Sequence, residues 1–284
     1  MNNILLLTDF SDLSEYARSL ADKVAYFSGA QLHVLKVVDV PSEVEISKSG
    51  DLLDGMGNDT SLLIQEKENS EEKIKEWTSN LKSKVVTSVV YGRLLQTVSE
   101  TIKALNVELV VMGTHGVTGM RELLSGSITE HVILKNKVPV LSLKCNRDNL
   151  DFSDFLITGD FEEGSTMNLE VLKGLQRVFN STLHLLWVNT KSHFMTSSEA
   201  IEKMKKFAQN NQLQSTQYHI YNDKTIEEGI INFSNNYDTS HKLEIDIIAI
   251  EKKDKSQLGY VLTGCQATSF VNHIYRPLIT YSKA

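Results

Sequence analysis

Three features of this 284-residue sequence predict two tandem α/β domains, each a mainly parallel five-stranded sheet with helices on both faces. Apolar runs of strand length alternate with amphipathic runs of helix length, the order expected of a parallel sheet covered on both sides. That order occurs twice along the chain. Of the 15 glycines, four (Gly113, Gly116, Gly119 and Gly126) follow one another closely where an apolar strand ends. Sheets of this Rossmann-like kind bind their ligands at the carboxyl ends of the strands, so a glycine turn there bears on function.

The first copy begins with the apolar run "ILLL" from Ile4, then the acidic turn "TDFSD". Tyr16, Leu20, Val24 and Phe27 follow at helical spacing, and a strand is expected near 31–38. The polar segment 41–60 reads as a long loop. A helix near 61–82 carries Leu63, Ile74, Trp77 and Leu81 on one face, and its charge run "QEKENSEEKIKE" reads as a solvated face. Strands near 85–90 and 108–113 flank another helix. The glycine turn then leads into a helix opening at Gly126-Ser127 and running to about Lys135, before a last strand near 139–143.

The second copy repeats this. At an offset of 151, Asp9 meets Asp160, Phe10 meets Phe161, Ser14 meets Ser165 and His33 meets His184. Further on the offset is 138, where "ELVVMG" meets "DIIAIE", Gly126 meets Gly264 and Pro139 meets Pro277. The difference of 13 residues places a deletion in the second copy, most simply of the loop 41–60. The domains expected are 1–146 and 151–284, joined by a short linker.

The net charge of −7 argues against nucleic acid or an anionic membrane as the main partner. No apolar run approaches the roughly 18–20 residues that span a bilayer, and "MNNILLLTDF" is too short in apolar residues for a secretory core. With two cysteines, Cys145 and Cys265, in no metal-like spacing, a reduced cytoplasmic protein is expected.

Glycines let the backbone approach a ligand with no Cβ in the way, and a helix start offers free N–H groups to an anion. Gly113-x2-Gly116-x9-Gly126-Ser127 thus reads as a phosphate cradle, to which His115 or Arg121 could add polar contacts. Ser127 with Glu130 is equally a capping box, and a glycine cluster can be only a tight turn. Both readings stand on local chemistry.

The same spacing, the opening "LLTDFSDLS" and the "VVD" ending the second strand resemble the universal stress protein family. The resemblance covers the chain as two tandem copies and implies a five-stranded α/β fold that binds ATP, with Mg2+, in the first copy. It implies that Thr8 and Asp9 lie by the adenine or ribose, and that Val38 meets the adenine through its backbone. Met112 and Gly113 would flank base and ribose. Gly116, Gly126 and Ser127 would hold phosphates, with Ile128 and Thr129 continuing that contact. Asp9 has a rival role as an N-cap, and burial alone explains the side chains of Val38 and Met112. The resemblance also implies pairing through the last strands, "VPVLSLK" and "RPLITYSK", which the two copies could satisfy within one chain, and chains could then dimerise further as a homodimer.

In the second copy Gly113 becomes Glu251, Gly116 becomes Asp254 and Ser127 becomes Cys265, while Gly126 persists as Gly264. Two carboxylates where phosphates belong argue against a second ATP site; Lys252, Lys253 and Lys255 offset this only in part. His33 and His184 read as fold-supporting histidines, and Cys265 as a packing residue in place of serine. No G-x-S-x-G elbow, kinase signature or HExxH is present. The leading expectation is an ATP-binding stress-response sensor or regulator acting on an unidentified protein partner. Its rivals are a slow ATP-hydrolysing or adenylate-transferring enzyme, and a nucleotide-independent scaffold for a small molecule or protein.

Overall fold

The computed structural model describes residues 1–47, 50–53, 60–114, 128–143, 152–161, 169–236, 243–252 and 276–282. They fall into two compact units: one runs from Met1 to Thr114 and takes up a later helix, and the other runs on from Pro139.

The first unit contains β1 (Asn3–Leu7), α1 (Asp12–Ser28), β2 (Gln31–Asp39), α2 (Ser61–Thr78), β3 (Lys84–Gly92), α3 (Leu94–Ala104), β4 (Leu109–Gly113) and α4 (Ile128–Lys135). Its strands lie in the order β3-β2-β1-β4, all parallel, with Leu7 opposite Leu35 and Met112. Ile4, Leu5 and Leu6 are fully buried, because β1 lies inside the sheet and is covered on both faces. β3 pairs with β2 alone in this order and alternates in burial.

α1 starts at Ser11, whose hydroxyl accepts from Ser14 N–H, and ends at Gly29 in the left-handed region (φ 71°). Its buried stripe is Ala17, Leu20, Ala21, Val24 and Ala25. The sequence spacing predicts Tyr16 and Phe27 in that stripe; instead Phe27 is 63% exposed and packs edge-on against Tyr26. The alanines explain this, since small side chains bring the helix axis close to the sheet and turn the bulky ones outward.

The second unit contains β5 (Val140–Leu143), β6 (Asp154–Thr158), α5 (Glu170–Phe179), β7 (Thr182–Asn189), α6 (Ser197–Asn210), β8 (Thr216–Asn222), α7 (Ile226–Asn236), β9 (Ile247–Lys252) and β10 (Leu278–Ser282). The order is β5-β10-β9-β6-β7-β8. All its described pairings are parallel except β5 with β10, which run antiparallel with Leu278 opposite Ser142 and Ile279 opposite Leu141. The last strand of the first sequence copy therefore packs within the second unit. The deletion falls in the loop after the second strand: β7 and α6 are joined by 190–196, where β2 and α2 are joined by 40–60. Among the described residues no helix is long and apolar enough to cross a membrane.

The repeated histidines bridge strands. His33 Nε2 meets Asn3 Oδ1 at 3.1 Å. In the second unit the pair becomes a chain across three strands, Asp154 Oδ1 to His184 Nε2 at 2.7 Å and His184 Nδ1 to His219 Nε2 at 2.9 Å. Burial, and then the neighbouring His184, push His219 down to about 4. The unfolded chain holds a proton on this ring up to an ordinary value near 6.5, so it binds more protons than the folded state between those limits. Stability is complete above that window and falls as pH drops through it towards 4. Because the ring keeps some solvent contact, the expected loss is on the order of 1–2 kcal/mol. Urea unfolding at pH 7 and pH 4.5 measures it, and His219→Gln should flatten the difference.

Candidate functional site

β1 delivers the chain to its carboxyl end with one more ladder bond, from Thr8 N–H to Leu35 O at 3.1 Å. The next turn is sharp. Phe10 adopts φ 61°, an uncommon value for a bulky residue, and its N–H donates to Thr8 Oγ1 at 2.9 Å. The Phe10 ring packs edge-on against Trp77 of α2, with Lys73 Nζ above it. Phe161 repeats the kink at φ 47° and packs against Phe207 of α6. A bend retained in both copies belongs to the architecture: it sets the preceding Asp at the strand end.

Asp9 is exposed there and does not cap α1 itself; Ser11 does. Asp9 Oδ1 accepts from Ser11 N–H at 3.0 Å and from the Ser14 hydroxyl at 2.6 Å, and Oδ2 accepts neither bond. Partial burial pushes the Asp9 carboxyl up, but the bonds from Ser11 and Ser14 outweigh it and hold the group below its ordinary value. Asp9 is therefore ionised at neutral pH, an acceptor only.

Beside it, β4 ends in Met112 and Gly113, and Thr114 follows. Met112 is buried. A Cβ on Gly113 would lie 2.5 Å from the carbonyl carbon and oxygen of Leu13, so α1 itself demands a glycine there. Thr114, which sequence reasoning passed over, is 4% exposed, and its hydroxyl has no hydrogen-bond partner among the described residues. A buried orphan hydroxyl costs about 1–3 kcal/mol unless something else satisfies it. No sequence pattern marks it, because an orphan is defined by what surrounds it.

β2 supplies backbone. Leu35 turns its carbonyl towards β1, whereas Val40 N–H donates to Gly92 O at the end of β3. Peptide groups alternate along a strand, so those of Val37 point to the β1 side, past the end of β1, and those of Val38 point towards β3. Val38 itself is fully buried opposite Tyr91. Ile128 opens α4 and Thr129 is buried in its first turn. Gly116, Gly126 and Ser127, with His115 and Arg121, lie outside the described residues.

The matching place in the second unit is built differently. Thr8 is replaced by Gly159, and Glu251, 4% exposed, stands at the end of β9 with Oε2 3.4 Å from where a Cβ on Gly159 would lie. Tyr281 donates its hydroxyl to Thr158 O at 3.3 Å. From the short loop, His193 stacks on Trp187 at 4.4 Å and brings Nε2 within 3.7 Å of Asp160. Burial, then Lys203, lowers His193, which leaves it neutral near pH 7. The cavity left among Thr158, Asp160, Trp187, His193 and Glu251 measures about 40 Å³. Cys145, Asp254, Gly264, Cys265, Lys253 and Lys255 lie outside the described residues. Among the described residues no group of three or more His, Cys, Asp or Glu is placed to hold a metal ion.

Residues 1–144 match the family model described as the universal stress protein family. Universal stress protein MJ0577 of Methanocaldococcus jannaschii is 32% identical over 154 residues, spanning 50% of this chain and 93% of that protein. Universal stress protein MJ0531 of the same organism is 31% identical over 143 residues, 50% of this chain and 81% of its own length. Among solved structures, a universal stress protein from Archaeoglobus fulgidus matches with a TM-score of 0.69, covering 100% of this chain and 97% of its own at 17% identity. At that identity the likeness concerns the fold.

Proposed function

This chain belongs to the universal stress protein family, and from that premise we propose that its N-terminal copy binds ATP, with Mg2+ on the phosphates, and that the protein acts as a cytoplasmic stress-response sensor or regulator. The copies are assigned to 1–146 and 151–284, and binding to the first alone. The observation that carries this reading is the polar end of β1 and β4, where Asp9 keeps Oδ2 outside its bonds to Ser11 and Ser14, and the buried Thr114 hydroxyl has no partner among the described residues. An ionised Asp9 takes hydrogen bonds and gives none, which suits an adenine amine or a ribose hydroxyl. Thr8 braces the turn beside it. The backbone of Val37, rather than that of Val38, is turned towards the crevice and takes the base edge. Met112 and Gly113 flank base and ribose. The phosphates go to Gly116, Gly126 and Ser127, with Ile128 and Thr129 at the start of α4, where the helix dipole favours an anion.

In this reading ATP occupancy reshapes the crevice and so changes how a protein partner is engaged. Calorimetric titration with ATP tests the site. Asp9→Ala should weaken binding at least tenfold, about 1.4 kcal/mol, while the protein stays folded. A folded Asp9→Ala protein with undiminished ATP affinity would remove Asp9, and with it the observation on which the reading stands.

A further inference from the structure

Ser14 is 4% exposed, on the first turn of α1, and two of its bonds go to one neighbour. Its hydroxyl donates to Asp9 Oδ1 at 2.6 Å and accepts the N–H of Asp9 at 3.3 Å. Its own N–H donates to Ser11 Oγ at 3.3 Å, and Ser11 N–H donates to the same Oδ1. The carboxylate is thus held at one oxygen by two donors, while its backbone is held by the hydroxyl that grips the side chain. Helix capping needs only the Ser11 hydroxyl and the Ser14 N–H, so the Ser14 hydroxyl is spare for that purpose. An exposed aspartate on a turn would otherwise sample several rotamers, and ordering it on binding would weaken the ligand by that entropy.

We propose that Ser14 is a positioning residue for the nucleotide site: its buried hydroxyl locks the rotamer and charge of Asp9 so that Oδ2 is presented to the ligand. This rests on the ATP reading above. The hydroxyl acts through Asp9, not on the nucleotide. A donor on the carboxylate also favours its ionised form, so losing it should raise the Asp9 pKa and make binding fail at a higher pH.

The test uses the full chain with Ser14→Ala and Ser14→Cys, ATP as the probe, and calorimetry between about pH 4 and pH 7, with the Asp9 carboxyl followed by NMR. Cysteine keeps the volume and is a poor donor, so it separates packing from hydrogen bonding. Both variants should bind ATP roughly tenfold more weakly at pH 7, which corresponds to about 1.4 kcal/mol. Both should also show a raised Asp9 pKa and lose affinity earlier as pH falls. In an Asp9→Ala background, which leaves no acceptor at Oδ1, Ser14→Ala should have little further effect, because the two side chains act as one unit. If Ser14→Cys binds like the parent while Ser14→Ala does not, the role is packing and the proposal falls. It falls equally if both variants keep the parent's affinity and pH profile, with the ATP reading left standing. A parent protein that binds no ATP defeats the ATP reading itself, and the role of Ser14 with it.

Discussion

Gly113→Ala should destabilise the first unit by about 3 kcal/mol, at the upper end of what overpacking a close-packed contact costs. The new methyl would sit 2.5 Å from the carbonyl carbon and oxygen of Leu13 and 2.9 Å from its Cβ. Two of those three atoms are backbone, so no rotamer change relieves the clash. Either β4 shifts in its register with β1, or α1 lifts away from the sheet and loosens the burial of Ala17, Leu20, Ala21 and Val24. Both routes disturb fully buried contacts. Gly29→Ala is the control: it has nothing within 4 Å of the new Cβ, but φ 71° strains any L side chain, so a loss of about 1 kcal/mol is expected. Urea unfolding of the two variants measures the difference. A Gly113→Ala protein as stable as the parent would show that α1 does not require glycine at this position.

Titration with ATP should end near one nucleotide per chain, with the second copy at least a hundredfold weaker, about 2.7 kcal/mol. Three features of the second unit produce that difference. Glu251 fills the end of β9, where the first unit has Gly113. A carboxylate about 4 Å from a phosphate oxygen costs roughly 1–4 kcal/mol at effective dielectrics of 80 to 20. The His193 side chain lies across the end of β6 by Asp160 and, being neutral near pH 7, does not repay that repulsion. The remaining cavity of about 40 Å³ is far below the roughly 300 Å³ or more of pockets that enclose small ligands. Titration at protein concentrations well above Kd reads the stoichiometry directly, and Asp160→Ala should leave it unchanged. Two equivalent sites per chain would overturn the inequality of the copies.

Much of this protein was legible in sequence because it is written in short windows. Strand and helix order follows from the alternation of apolar runs. The tandem repeat follows from Asp9, Phe10 and His33 recurring as Asp160, Phe161 and His184. Even the end of the first helix is local chemistry: Gly29 and its counterpart Asn180 are two residue types that tolerate the left-handed conformation both adopt. The polar end of β1 was visible as well, since Asp9 and Thr8 stand immediately after an apolar strand.

What the windows could not hold are relations between segments far apart in the chain. Gly113 is glycine because the Leu13 carbonyl lies against it, a contact that exists only once α1 has packed on β4. Whether Val37 or Val38 offers its peptide to the crevice depends on the ladder phase set by Thr8 and Leu35. A one-residue slip in that phase reverses the answer, and hydrophobic pattern does not distinguish two adjacent buried valines. β5 finds its antiparallel partner in β10 across most of the second copy. That the buried Thr114 hydroxyl finds no partner among the described residues is likewise a matter of tertiary packing. Periodicity and turn chemistry determine elements and their order; register, close approach and unsatisfied polar groups are decided when the elements meet.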